Sequence, residues 1–75
     1  METRQIKLQL PEAVKDFVKA AEKCDFDIDI FYNRIIIDAK SFLGVLSLDL
    51  SKTLNVACRG YNKEFEGVLN KYAVC

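Results

Sequence analysis

Polar and apolar residues alternate along Gln5-Ile6-Lys7-Leu8-Gln9-Leu10. A period of two predicts a half-buried strand with Ile6, Leu8 and Leu10 facing inward. Pro11 ends that ladder and suits the first turn of a helix, where Glu12 meets the positive end of the dipole. Val14, Phe17, Val18 and Ala21 then recur at helical spacing, with Lys15, Asp16, Lys19 and Glu22 between them, so a helix is expected from Pro11 to Lys23. Strict alternation returns over Asp25-Phe26-Asp27-Ile28-Asp29-Ile30 and predicts a second strand with Phe26, Ile28 and Ile30 inward and the three aspartates outward. Ile35-Ile36-Ile37 is β-branched throughout and reads as its hairpin partner. Tyr32-Asn33-Arg34 forms the turn between them. Asn33 tolerates positive φ, and Arg34 occupies a place where glycine would be easier.

Ser41 is a good N-cap for the short apolar run Phe42-Leu43-Gly44-Val45-Leu46. Val45 and Leu48 are expected in the core, and Phe42, Leu43 and Leu46 partly exposed, because one short helix cannot bury every side. Leu54-Asn55-Val56-Ala57-Cys58 alternates again, with Leu54, Val56 and Cys58 inward, and Gly60 is the break. Phe65, Val68, Leu69 and Tyr72 outline a last amphipathic helix, which Gly67 weakens by roughly 1 kcal/mol relative to alanine. The element order is βαββαβα. It predicts an α+β open-faced sandwich: a four-stranded antiparallel sheet with three helices on one face, in a single domain spanning residues 1–75.

Size and composition narrow the function. A chain of 75 residues buries only about 60% of its unfolded surface and holds one thin core. Hydrophobic residues make up 51% and charged residues 29%, which is globular rather than disordered. Eleven basic and eleven acidic residues cancel, so no basic excess exists to neutralise a nucleic-acid backbone. No apolar run approaches the roughly 20 residues of a membrane span, and no signal peptide is evident. Three cysteines, Cys24, Cys58 and Cys75, have neither disulfide nor zinc spacing. They point to a reduced cytoplasmic protein with free thiols. With no histidine in the chain there is no acid–base couple or nucleophile–histidine pair, and no enzyme activity or cofactor is expected.

The stretch Ala39-Lys40-Ser41-Phe42-Leu43-Gly44-Val45-Leu46-Ser47-Leu48 resembles the regulatory-serine segment of HPr, the phosphocarrier of the bacterial sugar phosphotransferase system, which typically reads Lys-Ser-Ile-Met-Gly-Val-Met-Ser-Leu. The resemblance runs upstream without a gap through Tyr32-Asn33 and Cys24-Asp25-Phe26-Asp27 and covers about Val14 to Val56. It implies the same open-faced fold. It also implies that Ser41 is a regulatory phosphorylation site, the target of an HPr kinase. Lys40, Phe42, Leu43 and Leu46 would then dock protein partners, either phosphotransferase enzymes or a transcriptional regulator. A phosphate on Ser41 would lie at a helix start, where negative charge is favoured; the plain alternative is that Ser41 is only a cap.

The departure from the family is as informative. HPr proteins carry phosphate on a histidine at the start of the first helix, in a His-Ala-Arg-Pro-like stretch. Nothing from Leu10 to Ala13 can serve, Glu12 would repel phosphate, and the active loop reads as shortened or missing. The resemblance therefore points to a histidine-less, HPr-like regulatory protein, similar to the coeffector of catabolite repression that keeps the serine. The alternatives are a structural or assembly module that reuses the fold without phosphorylation, a carrier with a substitute acceptor such as Cys24 or Asp25, and an unrelated βαββαβ-type domain. Asp25, Asp27 and Asp29 read as a solvated outer face rather than a metal site. Phe31, Tyr32 and Ile36 add an apolar spot to that face and, with the sheet edge, are the candidate contact of a homodimer. Tyr61 and Tyr72 read as packing residues.

Overall fold

The computed structural model describes residues 3–74. The alternating segments form four strands, β1 (Thr3–Ile6), β2 (Ile28–Tyr32), β3 (Ile35–Asp38) and β4 (Leu54–Cys58). They join in one antiparallel sheet of order β1-β4-β2-β3. The helical segments are α1 (Pro11–Glu22), α2 (Phe42–Leu46) and α3 (Lys63–Tyr72). The architecture is the expected α+β open-faced sandwich.

The period-two arithmetic places the core. Ile6, Ile28, Ile30, Leu54 and Val56 are buried on the inner face of the sheet. Against them lie Val14, Phe17, Val18 and Ala21 of α1, Val45 of α2, and Phe65 and Leu69 of α3. Phe17 and Phe65 meet as a tilted ring pair, centroids 5.5 Å apart, which fixes the seam between α1 and α3. Asn62 caps α3 by accepting the Phe65 N–H at 2.9 Å.

Several expectations are corrected. The first strand stops at Ile6, because the Lys7 amide donates to the Tyr72 carbonyl instead of a neighbouring strand. Leu8 is still buried, but Leu10 is the exposed residue before α1, and its carbonyl accepts the Ala13 and Val14 amides. Residues 7–10 are therefore a connection between β1 and α1, where a direct passage was expected. The second strand begins at Ile28 and runs on to Tyr32, leaving Asp25 and Asp27 outside it and Phe26 half-buried. Tyr32 packs against the core, so it is not part of the outer spot with Phe31 and Ile36. Cys58 is only partly buried. Tyr61 is exposed rather than packed. In the hairpin only Asn33 has positive φ, at 54°, so Arg34 needs no glycine-like freedom. Cys75 lies outside the described residues.

Candidate functional site

Ser41 is placed by a turn that closes β3. The Asp38 carboxylate accepts the Lys40 amide at 2.9 Å, and the Asp38 carbonyl accepts the Ser41 amide at 3.0 Å. This holds Ser41 extended (φ −96°, ψ 102°), the conformation of an N-cap, and its Oγ accepts the Gly44 N–H at 3.2 Å. Gly44 has its own reason. A Cβ there would lie 2.9 Å from Ile37 Cγ2 and 3.0 Å from Ser41 Oγ, so only glycine lets α2 sit this close to β3. Ser47 ends the helix, its hydroxyl donating to the Gly44 carbonyl at 2.6 Å.

The turn of helix so fixed divides its side chains sharply. Val45 and Leu48 are buried, and Leu46 is half-buried against the core. Ser41 is exposed, Phe42 is 39% exposed and Leu43 is 78% exposed. Phe42 forms one wall of a shallow hollow of about 200 Å³, whose other walls are Lys15, Val18, Lys19 and Glu22 of α1. The result is an apolar surface flanked by two exposed lysines beside an exposed serine hydroxyl. Lys40 is turned elsewhere: its ammonium donates to the Cys24 carbonyl at 2.9 Å and so ties α2 to the end of α1. The α1 wall was invisible as part of this surface in the sequence. Lys15 and Lys19 stand i, i+4 on the polar side of α1, an ordinary solvated pattern until α2 is packed beside it.

The start of α1, where the resemblance places a carrier histidine, has a different character. Lys7, Gln9, Leu10, Ala13 and Tyr72 line a cleft of about 180 Å³ there. Leu10 makes no side-chain cap, and the Tyr72 hydroxyl is committed, donating to Asp16 at 2.8 Å. None of these side chains is a phosphate-carrying nucleophile. Of the substitute acceptors, Asp25 is exposed and Cys24 is enclosed. Cys24 is buried, its thiol donates to the Ala20 carbonyl at 3.5 Å, and burial pushes its pKa up despite the nearby Lys40. A protonated, enclosed thiol is a poor nucleophile. Asp25 and Asp27 lie apart from the strand carrying Asp29, which faces Arg59 at 4.0 Å. Among the described residues no group of three acidic or cysteine side chains is set to hold a metal ion.

No family model matches the sequence, and no curated protein matches it. Solved structures do match. HPr-C-His from Thermoanaerobacter tengcongensis superposes with a TM-score of 0.76 at 22% identity, over 95% of this chain and 89% of that one. The phosphocarrier protein HPr from Bacillus anthracis str. Ames gives 0.74 at 21% identity, over 97% and 96%. The chain has the HPr fold. Within that fold Ser41 and its apolar neighbours lie on α2, and α1 begins without a histidine. No helix among the described residues is long and apolar enough to cross a membrane.

Proposed function

We propose that this is an HPr-like protein of the sugar phosphotransferase system that lacks the carrier histidine and acts as a cytoplasmic regulatory protein–protein interaction domain. Its contact surface is the Ser41 helix. The observation that carries this reading is the pairing, on one turn, of an exposed serine hydroxyl with the exposed side chains of Phe42 and Leu43. Exposed apolar clusters of this kind are contact surfaces, and aromatic side chains anchor them. The hollow between Phe42 and Lys15/Lys19 suits a partner that presents an apolar side chain with carboxylates at its rim. Lys40 supports the surface from behind through Cys24, while Leu46 contributes its half-exposed edge.

Phosphorylation of Ser41 would place a dianion beside Phe42 and Leu43 and replace an apolar rim with a charged one, which switches partner choice. With no histidine and no activated thiol, the domain signals rather than carries phosphate and catalyses nothing.

The test is to incubate the protein with HPr kinase and ATP, and separately with the first phosphotransferase enzyme and phosphoenolpyruvate, and to read intact mass. One phosphate from the kinase, absent in Ser41→Ala, is the expected result. A phosphate taken from phosphoenolpyruvate would restore a carrier role. No phosphate from either source would reduce Ser41 to a helix cap and leave the fold reused as an assembly module.

A further inference from the structure

The two edges of the sheet are not alike. On β1 the edge is covered by the following chain: the Val74 amide donates to the Gln5 carbonyl at 3.0 Å, Ile6 bridges Ala73, and Lys7 reaches the Tyr72 carbonyl. On β3 no segment among the described residues pairs with the edge. Ala39 donates its amide to Ile28 at 2.9 Å. By alternation the backbone groups of Ile35 and Ile37 therefore face β2, and those of Ile36 face away from the sheet. The strand is also unguarded by its side chains. Ile36 is 62% exposed on the outer face and Ile35 is 48% exposed on the inner one, and such an edge is a template for another strand.

Its charges indicate the occupant. Arg34, the turn residue just before β3, and Asp38, the strand's last residue, are both exposed and, with Ile36 between them, share one parity. Arg34 makes no ion pair among the described residues. Asp38 has no cation either, and its register partner on β2 is another carboxylate, Asp29. Like charges directly opposite each other destabilise a sheet.

We propose that β3 pairs antiparallel with β3 of a second copy of this chain, Ile36 lying opposite its own copy on the two-fold axis. Ile35 then lies opposite the partner's Ile37, and Arg34 opposite the partner's Asp38, twice over. The register is self-selecting. Sliding the strands by two residues one way sets Ile36 opposite a carboxylate and Arg34 opposite Lys40. Sliding them two the other way sets Ile36 opposite Arg34. A slip of one residue opposes inner-face to outer-face side chains. In the chosen register Phe31, which pairs with Ile36 on β2, extends the outer contact into a four-residue apolar band across the axis. The contact is isologous and closes, so it yields a dimer and not a fibre. A strand this short buries little surface, so the dimer is weak and concentration-dependent.

Sedimentation from micromolar to millimolar protein tests this. The weight-average mass should climb from the 8.6 kDa of one chain towards twice that value, with the Ile36 amide becoming protected from exchange over the same range. Ile36→Lys sets two ammonium groups on the axis and should keep the mass monomeric. Arg34→Asp and Asp38→Arg each oppose like charges and should weaken association about tenfold or more, whereas the double exchange restores both the pairing and the mass. Arg34→Asp touches no hydrogen bond of the monomer, so its effect is read on a folded chain even if loss of the Asp38 cap weakens the other variants. A wild-type mass fixed at one chain up to millimolar concentration would overturn the proposal, as would association that survives Ile36→Lys or ignores Arg34→Asp.

Discussion

None of the three glycines in this chain has positive φ, so the space around each, and not its backbone angle, decides what a side chain would cost there. Gly60 lies under the Phe26 ring, and a Cβ there would sit 2.5 Å from Cδ2 and 2.6 Å from Cγ. The ring is half-buried against the core, and the clash reaches its Cγ and not only its outer edge. Gly60→Ala should therefore cost about 1–3 kcal/mol, the usual penalty for overpacking. Gly67, inside α3, is the opposite case, because nothing lies within 4 Å of its missing Cβ. Gly67→Ala should stabilise by about 1 kcal/mol through helix propensity and a less flexible unfolded chain. Urea unfolding of both variants should show midpoints displaced in opposite directions with unchanged slopes. A shared direction would mean that the close approach at Gly60 does not govern that site. Gly44 resembles Gly60, since its close neighbour Ile37 is a β-branched residue of β3 whose Cγ2 is fixed near the backbone.

At the scale of elements, the β2–β3 hairpin depends on Asn33. Its φ of 54° suits asparagine and glycine and strains alanine by roughly 1–2 kcal/mol. Asn33→Ala should lower the urea midpoint accordingly, while Asn33→Gly leaves it level or higher; equal losses in both would locate the cost in the asparagine side chain instead. The hairpin, α1 and β4 were legible because their patterns are local: a proline start, a 3.6-residue apolar stripe, an Asn between β-branched runs. Strand ends were not. Alternation continues to Leu10 and begins again at Asp25, yet pairing follows the partner strand, which ends at Leu54 opposite Ile6 and at Cys58 opposite Ile28. Of the candidate site, the Ser41 cap was readable from serine before an apolar run. The Phe42 hollow, the Lys40–Cys24 tie and the steric need for Gly44 arise only when α2 meets α1 and β3, and no periodicity encodes that meeting.

At the scale of the whole molecule, polar side chains on α3 fasten it to β1 and to α1, far away in sequence. Arg4 of β1 donates to Glu66 at 2.8 Å and also to Asn70. Asp16 of α1 accepts from the Tyr72 hydroxyl at 2.8 Å and from the Lys71 ammonium at 3.2 Å. The Tyr72 hydrogen bond, then that of Lys71, holds the Asp16 carboxyl below its ordinary 3.8. A carboxyl depressed by folding contributes stability that is complete above its unfolded value and is lost as pH falls through the folded one. Tyr72 is shifted upward, first by burial and then by Asp16, so its contribution is present below its ordinary 10.0 and is lost as pH rises through the raised value. The clamp is therefore strongest between these limits and opens at both. Asp49, lowered by the hydroxyl and amide of Ser51, titrates in the same acid window but within one turn, so Asp16→Asn should flatten the acid limb of stability against pH without abolishing it. Tyr72→Phe should flatten both limbs, since it removes the phenol and the larger cause of the Asp16 shift. Urea midpoints from pH 2 to 12, about two units beyond either group's ordinary value, provide the comparison. Parallel wild-type and Asp16→Asn curves would show that α3 is held to α1 by its apolar contacts, the Phe17–Phe65 pair among them, and that the carboxylate at their rim only decorates the seam.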